Sequence, residues 1–142
     1  MSKNLHVPVM LQEAIENLDV QTNHWYIDAT FGQGGHTQEI LSLKGKVIAF
    51  DYDEQNIIAG KEKFSSEIEK GSLILIRENF NQLKQVVDQL QQVEGISGIL
   101  FDFGTTSEQL AADDRGLSFH GAEQELDMRL DQRLGVKARD LL

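Results

Sequence analysis

The chain has 142 residues, which is about the length of one domain. Its net charge of −10 excludes a nucleic-acid binder that relies on a basic surface. It has no cysteine, which excludes disulfides, zinc knuckles, iron–sulfur clusters and a cysteine nucleophile. No apolar run is long enough to span a bilayer, and no signal pattern opens the sequence. We therefore expect a soluble, cytoplasmic protein without a membrane partner.

Four short apolar runs alternate with helical patterns. The runs cover residues 25–29, 46–50, 73–76 and 96–103. Each is apolar throughout, which is typical of strands buried on both faces of a parallel sheet. The helical patterns with the clearest apolar stripes cover Val9 to Leu18, Glu54 to Ile68 and Phe80 to Val93.

This order predicts an α/β fold, a doubly wound parallel sheet with flanking helices. After Gly104 the sequence has many charges and few apolar runs. We expect a loop there, with a short helix at Ser107 to Ala112 and a helical end from Val136. Four strands make a thin sheet for this architecture, so we expect the chain to be part of a larger fold.

The residues that follow the strands are the candidate site, because ligands bind beyond the carboxyl ends of strands in such sheets. The first run leads into a glycine-rich segment, Asp28 to His36, which permits a tight turn and close approach to the backbone. Asp51 ends the second run, 19 positions after Gly32, a spacing typical of a carboxylate that binds ribose hydroxyls. Phe80 follows the third run, and Asp102 ends the fourth.

These residues fit a cofactor that contains a nucleoside. A dinucleotide fingerprint starting at Gly32 would need glycine where the chain has Thr37, and the loop lacks the lysine of a phosphate-binding loop. S-adenosylmethionine has a ribose and no pyrophosphate, and acidic residues at 28, 51 and 102 would attract its cationic sulfonium. A nicotinamide-dependent enzyme is the alternative that Thr37 opposes. His36 and Glu39 have no evident third partner, so no metal site is expected.

Six segments, in this order, resemble the RsmH (MraW) family of ribosomal-RNA small-subunit methyltransferases. They are His6–Leu11, Asp28–His36, Phe50–Asp53, Asp102–Leu110, Arg115–Phe119 and Leu126–Asp131. The resemblance runs from about His6 to the last residue. The chain departs from the family pattern at Ala29, where glycine is usual, and at Glu108, where proline is usual. Members of the family also continue for about another such length.

The resemblance implies a Rossmann-like methyltransferase fold. Residues 1–142 would form the S-adenosylmethionine-binding domain, without the helical substrate domain and the last strands. The implied reaction transfers a methyl group to the exocyclic amine of a cytidine in small-subunit ribosomal RNA, which is the implied partner. The implied cofactor contacts are Gly34, Gly35, His36, Asp51, Phe80, Asp102 and Gln109. No catalytic base is assigned.

Several structural alternatives stay open at this point. The glycines could form an ordinary strand-to-helix turn, and His36 could simply cap or solvate the following helix. Phe80 could be plain core packing, and Asp51 and Asp53 could be solvated turn residues. The arginines after residue 114 could contact RNA phosphates, although their acidic neighbours favour a solvated surface. The whole chain could also be a shortened module that binds S-adenosylmethionine without turnover.

Overall fold

The computed structural model describes residues 10–104, 127–129, 131 and 133–141. The chain forms two compact units, Met1–Phe103 and Gly104–Leu142, and each is described by itself. The expectation that residues 1–142 form one domain stays a prediction. The short helix expected at 107–112 and the site residue Gln109 lie outside the described residues.

The first unit contains a four-stranded parallel sheet. Its strands are β1 (Trp25–Asp28), β2 (Lys46–Phe50), β3 (Leu73–Ile76) and β4 (Ile96–Leu100). They lie in the order β3-β2-β1-β4, and every pairing is parallel. The predicted α/β class with a parallel sheet is therefore confirmed, and all four carboxyl ends lie at one edge.

The helices follow the predicted order with two changes in extent. They are α1 (Leu11–Leu18), α2 (Gly35–Ser42), α3 (Glu54–Lys63), α4 (Ser65–Glu69) and α5 (Leu83–Val87), with 3-10 helices at Phe80–Gln82 and Ala138–Leu141. The single helix expected over 54–68 is divided at Phe64, where the backbone leaves the helical region (φ −113°, ψ 25°) and the ring is buried. The helical end expected from Val136 is the short 3-10 helix.

The prediction of a helix over 80–93 was wrong about the length of that helix. It ends at Val87, and the residues that follow form tight turns, with the amide of Val93 donating to the carbonyl of Leu90 at 3.0 Å. Leu90 and Val93 nevertheless pack against the sheet beside α5. The apolar spacing therefore marked the residues that face the core, but it did not mark where the helix ends.

Two apolar layers cover the two faces of the sheet. Along each central strand, alternate side chains point to opposite faces. On one face Tyr26 and Val47 pack with the apolar side of α1 and α2. On the other face Ile27 and Phe50 pack with the 80–93 segment. β1 and β2 are buried almost throughout, as their continuous apolar sequences predict.

β4 does not match the expectation of burial on both faces. The strand ends at Leu100, three residues before the apolar run does, and its residues alternate between covered and exposed. Ile99 is 46% exposed, and beyond the strand Phe103 is 73% exposed. In the described part of the chain β4 pairs with β1 alone, so it is an edge strand. Alternate side chains of β4, such as that of Ile99, therefore lack the cover that the apolar sequence suggested.

The described residues of the second unit contain two close ion pairs. Arg129 binds the carboxylate of Asp127 through two nitrogens, at 2.5 and 2.8 Å, and this contact lowers the pKa of Asp127 to about 2. Arg133 binds Asp131 in the same way, with contacts from 2.9 to 3.1 Å. Both arginines therefore bind neighbouring carboxylates, and the side chains of Arg129 and Asp127 are only 18% and 20% exposed, less than the solvated surface that the acidic sequence predicted.

The first testable prediction concerns Gly34, which adopts a left-handed backbone (φ +73°). A Cβ at this position would lie 2.7 Å from the rings of Phe31 and Phe64. Gly71 has a similar φ of +70° but nothing within 4 Å. We expect Gly71→Ala to lower the free energy of unfolding by about 1–2 kcal/mol, from backbone strain alone. Gly34→Ala should lose about 1–3 kcal/mol more, from overpacking.

Urea unfolding of the two variants and the wild type measures both the backbone penalty and the overpacking penalty. Gly71→Ala is the matched control, because it carries the same backbone penalty without the steric one. An equal loss in the two variants would contradict the packing that the structure assigns to Gly34.

Candidate functional site

The strand order reverses between β1 and β4, which is the position where open α/β sheets form their ligand crevice. From β1 the chain moves outward through β2 to β3, and it then crosses the sheet to place β4 on the other side of β1. The segment before β4 lies on the face opposite α1 and α2, as this reversal requires. Ligands of open α/β sheets bind at such a reversal, beyond the carboxyl ends of the strands.

Backbone hydrogen bonds join the loops that leave these strands. The amide of Ala29, just after β1, donates to the carbonyl of Leu100 at the end of β4 (2.9 Å). The amide of Phe31 donates to the carbonyl of Phe50 at the end of β2 (2.9 Å). The structure therefore brings the loops after β1, β2 and β4 together at one place.

Asp51 has a buried carboxylate that holds two of these loops. One oxygen accepts hydrogen bonds from the amide of Gly32 (2.8 Å) and the side-chain amide of Asn56 (2.9 Å). The other oxygen accepts from the amide of Asp53 (2.8 Å). Burial raises the pKa of Asp51, and the three donors oppose that rise. A carboxylate offers about four acceptor positions, so about one is left for a ligand hydroxyl.

The alternative of solvated turn residues does not hold for Asp51 or Asp53. Asp51 is 9% exposed and Asp53 only 2%. Asp53 caps α3, since its carboxylate accepts from the amide of Gln55 (3.0 Å). The two carboxylates therefore have separate tasks, the first holding the loops and the second beginning a helix.

Asp28 lies beneath the site. It is fully buried at the end of β1, where its carboxylate accepts from the hydroxyl of Thr37 (2.7 Å) and the amide of Thr30 (3.2 Å). Burial raises the pKa of Asp28, while these hydrogen bonds and the nearby His36 act in the opposite direction. Asp28 therefore binds both the glycine-rich loop and the first turn of α2 from the buried side. Sequence reasoning did not identify Thr37 as its partner.

The glycine-rich loop leads directly into α2. Gly34 immediately precedes the helix, Gly35 is its first residue, and His36 is 5% exposed in the first turn. The alternative that His36 is a solvated residue is therefore wrong. Among the described residues no side chain caps α2, so the first amide groups are left for an external acceptor. The glycine at position 34, by contrast, is explained without a ligand, by its left-handed backbone and by the two neighbouring rings.

Phe80 and Asp102 lie on the loops after β3 and β4. Phe80 packs against the apolar layer on its face of the sheet and also makes edge-to-face contacts with Phe101 and Phe103, with 5.7 Å between ring centroids in each pair. The Phe80 ring therefore contacts both the core and the exposed loop after β4. Asp102 has an exposed side chain, and its amide donates to the hydroxyl oxygen of Thr30 (2.7 Å). Sequence reasoning missed Thr30, whose partner is 72 positions away.

The opposite edge of the sheet contains a cavity of about 550 Å³. Its lining includes His24, Trp25, Lys46 and Ser97. His24 Nδ1 is 2.9 Å from the hydroxyl of Ser97, and Lys46 Nζ lies 5.5 Å from the centroid of the Trp25 ring. His24 and Ser97 are therefore partners of each other, and the cavity lies at the far ends of the strands from the glycine-rich loop.

Among the residues that the structure describes, no cluster of three His, Asp or Glu side chains has the arrangement of a metal site. None of the helices described is both long and apolar enough to cross a bilayer.

The family model of the MraW methylase family matches residues 3–142. The chain belongs to the MraW methylase family. Over 96% of the length of this chain, it is 44% identical to ribosomal RNA small subunit methyltransferase H of Oenococcus oeni. Over 89% of the length of this chain, it is 42% identical to the protein of that name from Lactobacillus gasseri. It spans 44% and 42% of the length of these two relatives.

A solved structure shares the fold. A Streptococcus mutans protein in complex with SAH (S-adenosylhomocysteine) superimposes with a TM-score of 0.52 at 26% identity. The match covers 72% of this chain and 55% of that one. Together with the parallel sheet, it confirms the Rossmann-like methyltransferase fold expected from the sequence.

The second prediction uses the raised pKa of Asp28. Because its pKa in the folded state lies above the value of 3.8 for an exposed Asp, Asp28 stabilises the fold most below pH 3.8. That contribution is lost as the pH rises through the folded-state pKa. Asp28→Asn cannot titrate, so the stability advantage of the wild type over this variant should shrink as the pH rises.

Urea unfolding of both proteins from acidic to neutral pH provides the measurement. Contributions from carboxylates that do not interact with Asp28 cancel in the difference between the two proteins, whereas its electrostatic interactions with His36 and Asp51 remain part of that difference. A difference that stays constant, or grows with pH, would contradict the burial assigned to Asp28.

Proposed function

We propose that this chain binds S-adenosylmethionine at the carboxyl edge of its sheet, as the cofactor-binding part of a ribosomal-RNA methyltransferase. The observation that carries the proposal is the position of Asp51. Its buried carboxylate ends β2 and holds the amide of Gly32 at the crevice between β1 and β4. This is where a carboxylate would meet the ribose of a nucleoside cofactor.

The chemistry of the edge fits the parts of S-adenosylmethionine. Asp51 has about one acceptor position left for a ribose hydroxyl, and the uncapped amides at the start of α2 suit the carboxylate of the methionine part. Phe80 would lie beside the adenine. The proposed contacts are Gly34, Gly35, His36, Asp51, Phe80, Asp102 and Gln109, the last by family resemblance alone.

Electrostatics favours this cofactor over a nicotinamide dinucleotide. Asp28 and Asp51 are buried at the edge, and Asp102 is exposed beside them. Negative charge in a poorly solvated place attracts a sulfonium cation and repels a pyrophosphate. Thr37 also donates to Asp28 from the position that a dinucleotide fingerprint reserves for glycine.

The proposed substrate is the exocyclic amine of a cytidine in small-subunit ribosomal RNA. The proposal rests on family membership and on the Oenococcus oeni relative, whose name specifies this RNA. Bound S-adenosylmethionine would supply an electrophilic methyl carbon. The amine nitrogen would bond to that carbon as the carbon–sulfur bond breaks, and one amine proton would pass to water. The amine lone pair is conjugated with the ring, so alignment and a nearby acceptor matter. Asp102 is an exposed carboxylate suited to accept that hydrogen bond, and no group is assigned as the base.

A binding module without turnover is the second candidate. The observation in its favour is that the candidate cofactor residues from Asp28 to Asp102 lie within the first unit, whereas the acceptor RNA would need a surface of its own. Cofactor binding and methyl transfer are therefore separate questions for this chain.

The third prediction tests cofactor binding by calorimetry with S-adenosylmethionine. Asp51→Asn preserves the shape of the side chain but removes its charge and part of its acceptor capacity. We expect it to weaken binding about tenfold, the loss expected for a hydrogen bond to a charged group. Asp88→Asn is the matched control, because Asp88 is exposed and pairs with Lys84 (2.6 Å) away from the edge. It should bind like the wild type.

The outcomes separate the candidate functions. If the folded wild type does not bind S-adenosylmethionine, both candidates fail. If it binds, transfer of a labelled methyl group to small-subunit ribosomal RNA distinguishes them. Transfer by the wild type that falls in Asp51→Asn in proportion to its weaker binding supports the enzyme, and binding without transfer leaves the module.

A further inference from the structure

The single residue Thr30 forms hydrogen bonds near the ends of two strands, β1 and β4. Its amide donates to the carboxylate of Asp28 at the end of β1 (3.2 Å). Its hydroxyl oxygen accepts from the amide of Asp102, two residues beyond β4 (2.7 Å). One residue of the glycine-rich loop therefore contacts both sides of the crevice.

These contacts extend into a longer series. The hydroxyl of Thr37, in the first turn of α2, donates to the other oxygen of Asp28 (2.7 Å). Thr37, Asp28, Thr30 and Asp102 thus form an unbroken hydrogen-bonded path from α2 to the loop after β4. Every member except Asp102 is buried or half-buried, so water competes little for the bonds within the loop.

The last bond of the series lies where the sheet no longer holds the chain. Pairing between β1 and β4 ends at Asp28 and Leu100, followed by one further bond from the amide of Ala29. Beyond it, the Thr30 hydroxyl holds the backbone of Asp102 against the glycine-rich loop. A shift of this backbone would move the Asp102 carboxylate and change the width of the crevice.

We propose that Thr30 is a positioning residue that sets the place of Asp102 relative to the glycine-rich loop. This role rests on the proposed cofactor site. Thr30 acts through the Asp102 backbone, and the property that matters is its hydroxyl oxygen as an acceptor. Because Asp102 is exposed, its amide can bind water when that acceptor is lost. The fold then survives, and the change appears in ligand affinity.

The fourth prediction compares three variants with the wild type. Thr30→Val keeps the branched shape but removes the acceptor, and Thr30→Ser keeps the acceptor. Thr22→Val makes the same chemical change at an exposed threonine before β1. Hydrogen exchange of the Asp102 amide, followed by NMR without ligand, reports the bond, and calorimetry with S-adenosylmethionine reports its effect.

We expect Thr30→Val to speed exchange at Asp102 and to weaken S-adenosylmethionine binding about two- to tenfold, the range for one neutral hydrogen bond. Thr30→Ser and Thr22→Val should resemble the wild type in both measurements. If Thr30→Val does not fold, Thr30→Ala removes the same acceptor with less bulk and replaces it in the test.

Three results would overturn the role of Thr30. They are unchanged exchange at Asp102 in Thr30→Val, unchanged affinity despite faster exchange, and a loss in Thr30→Ser as large as in Thr30→Val. In each case binding by the wild type would leave the proposed function intact. A wild type that does not bind S-adenosylmethionine would instead overturn the proposed function, and the role of Thr30 with it.

Discussion

The carboxylate of Asp51 accepts hydrogen bonds from three parts of the first unit. The donors belong to Gly32 in the loop after β1, to Asp53 in its own loop and to Asn56 in α3. An anionic acceptor makes stronger hydrogen bonds than a neutral one, and burial reduces competition from water. The edge of the sheet depends on this residue, because it fixes the glycine-rich loop against the end of β2.

Asp28 and Asp51 are buried carboxylates, which are costly for a fold, and the surrounding donors explain how they are accommodated. Burial raises the pKa of both residues, and their hydrogen bonds oppose that rise. A cationic ligand at the edge would relieve part of that cost. The same charge would hold an S-adenosyl sulfonium and oppose a dinucleotide, so stability and cofactor preference have one physical origin.

Sequence reasoning predicted the sheet and its edge well, because continuous apolar strands and glycine-rich turns are local signals. It placed Asp51 at the end of β2 from its position directly after an apolar run. It could not find Thr30, whose contact with Asp102 joins positions 72 apart. It also assumed that β4 is covered on both faces, since an apolar sequence does not tell whether a neighbour is present. The extent of the helix after Phe80 was missed because packing positions and helical hydrogen bonds need not end together.

The proposed ligand site is the edge where the strands end and the glycine-rich loop begins. Amide chemical shifts of ¹⁵N-labelled protein, followed during addition of S-adenosylmethionine, test this directly. We expect the largest changes in residues 30–36, 51–53 and 101–103, with Asn23, His24 and Ser97 at the opposite edge unchanged. Larger changes around the cavity at that opposite edge, or no changes at residues 30–36, would contradict it.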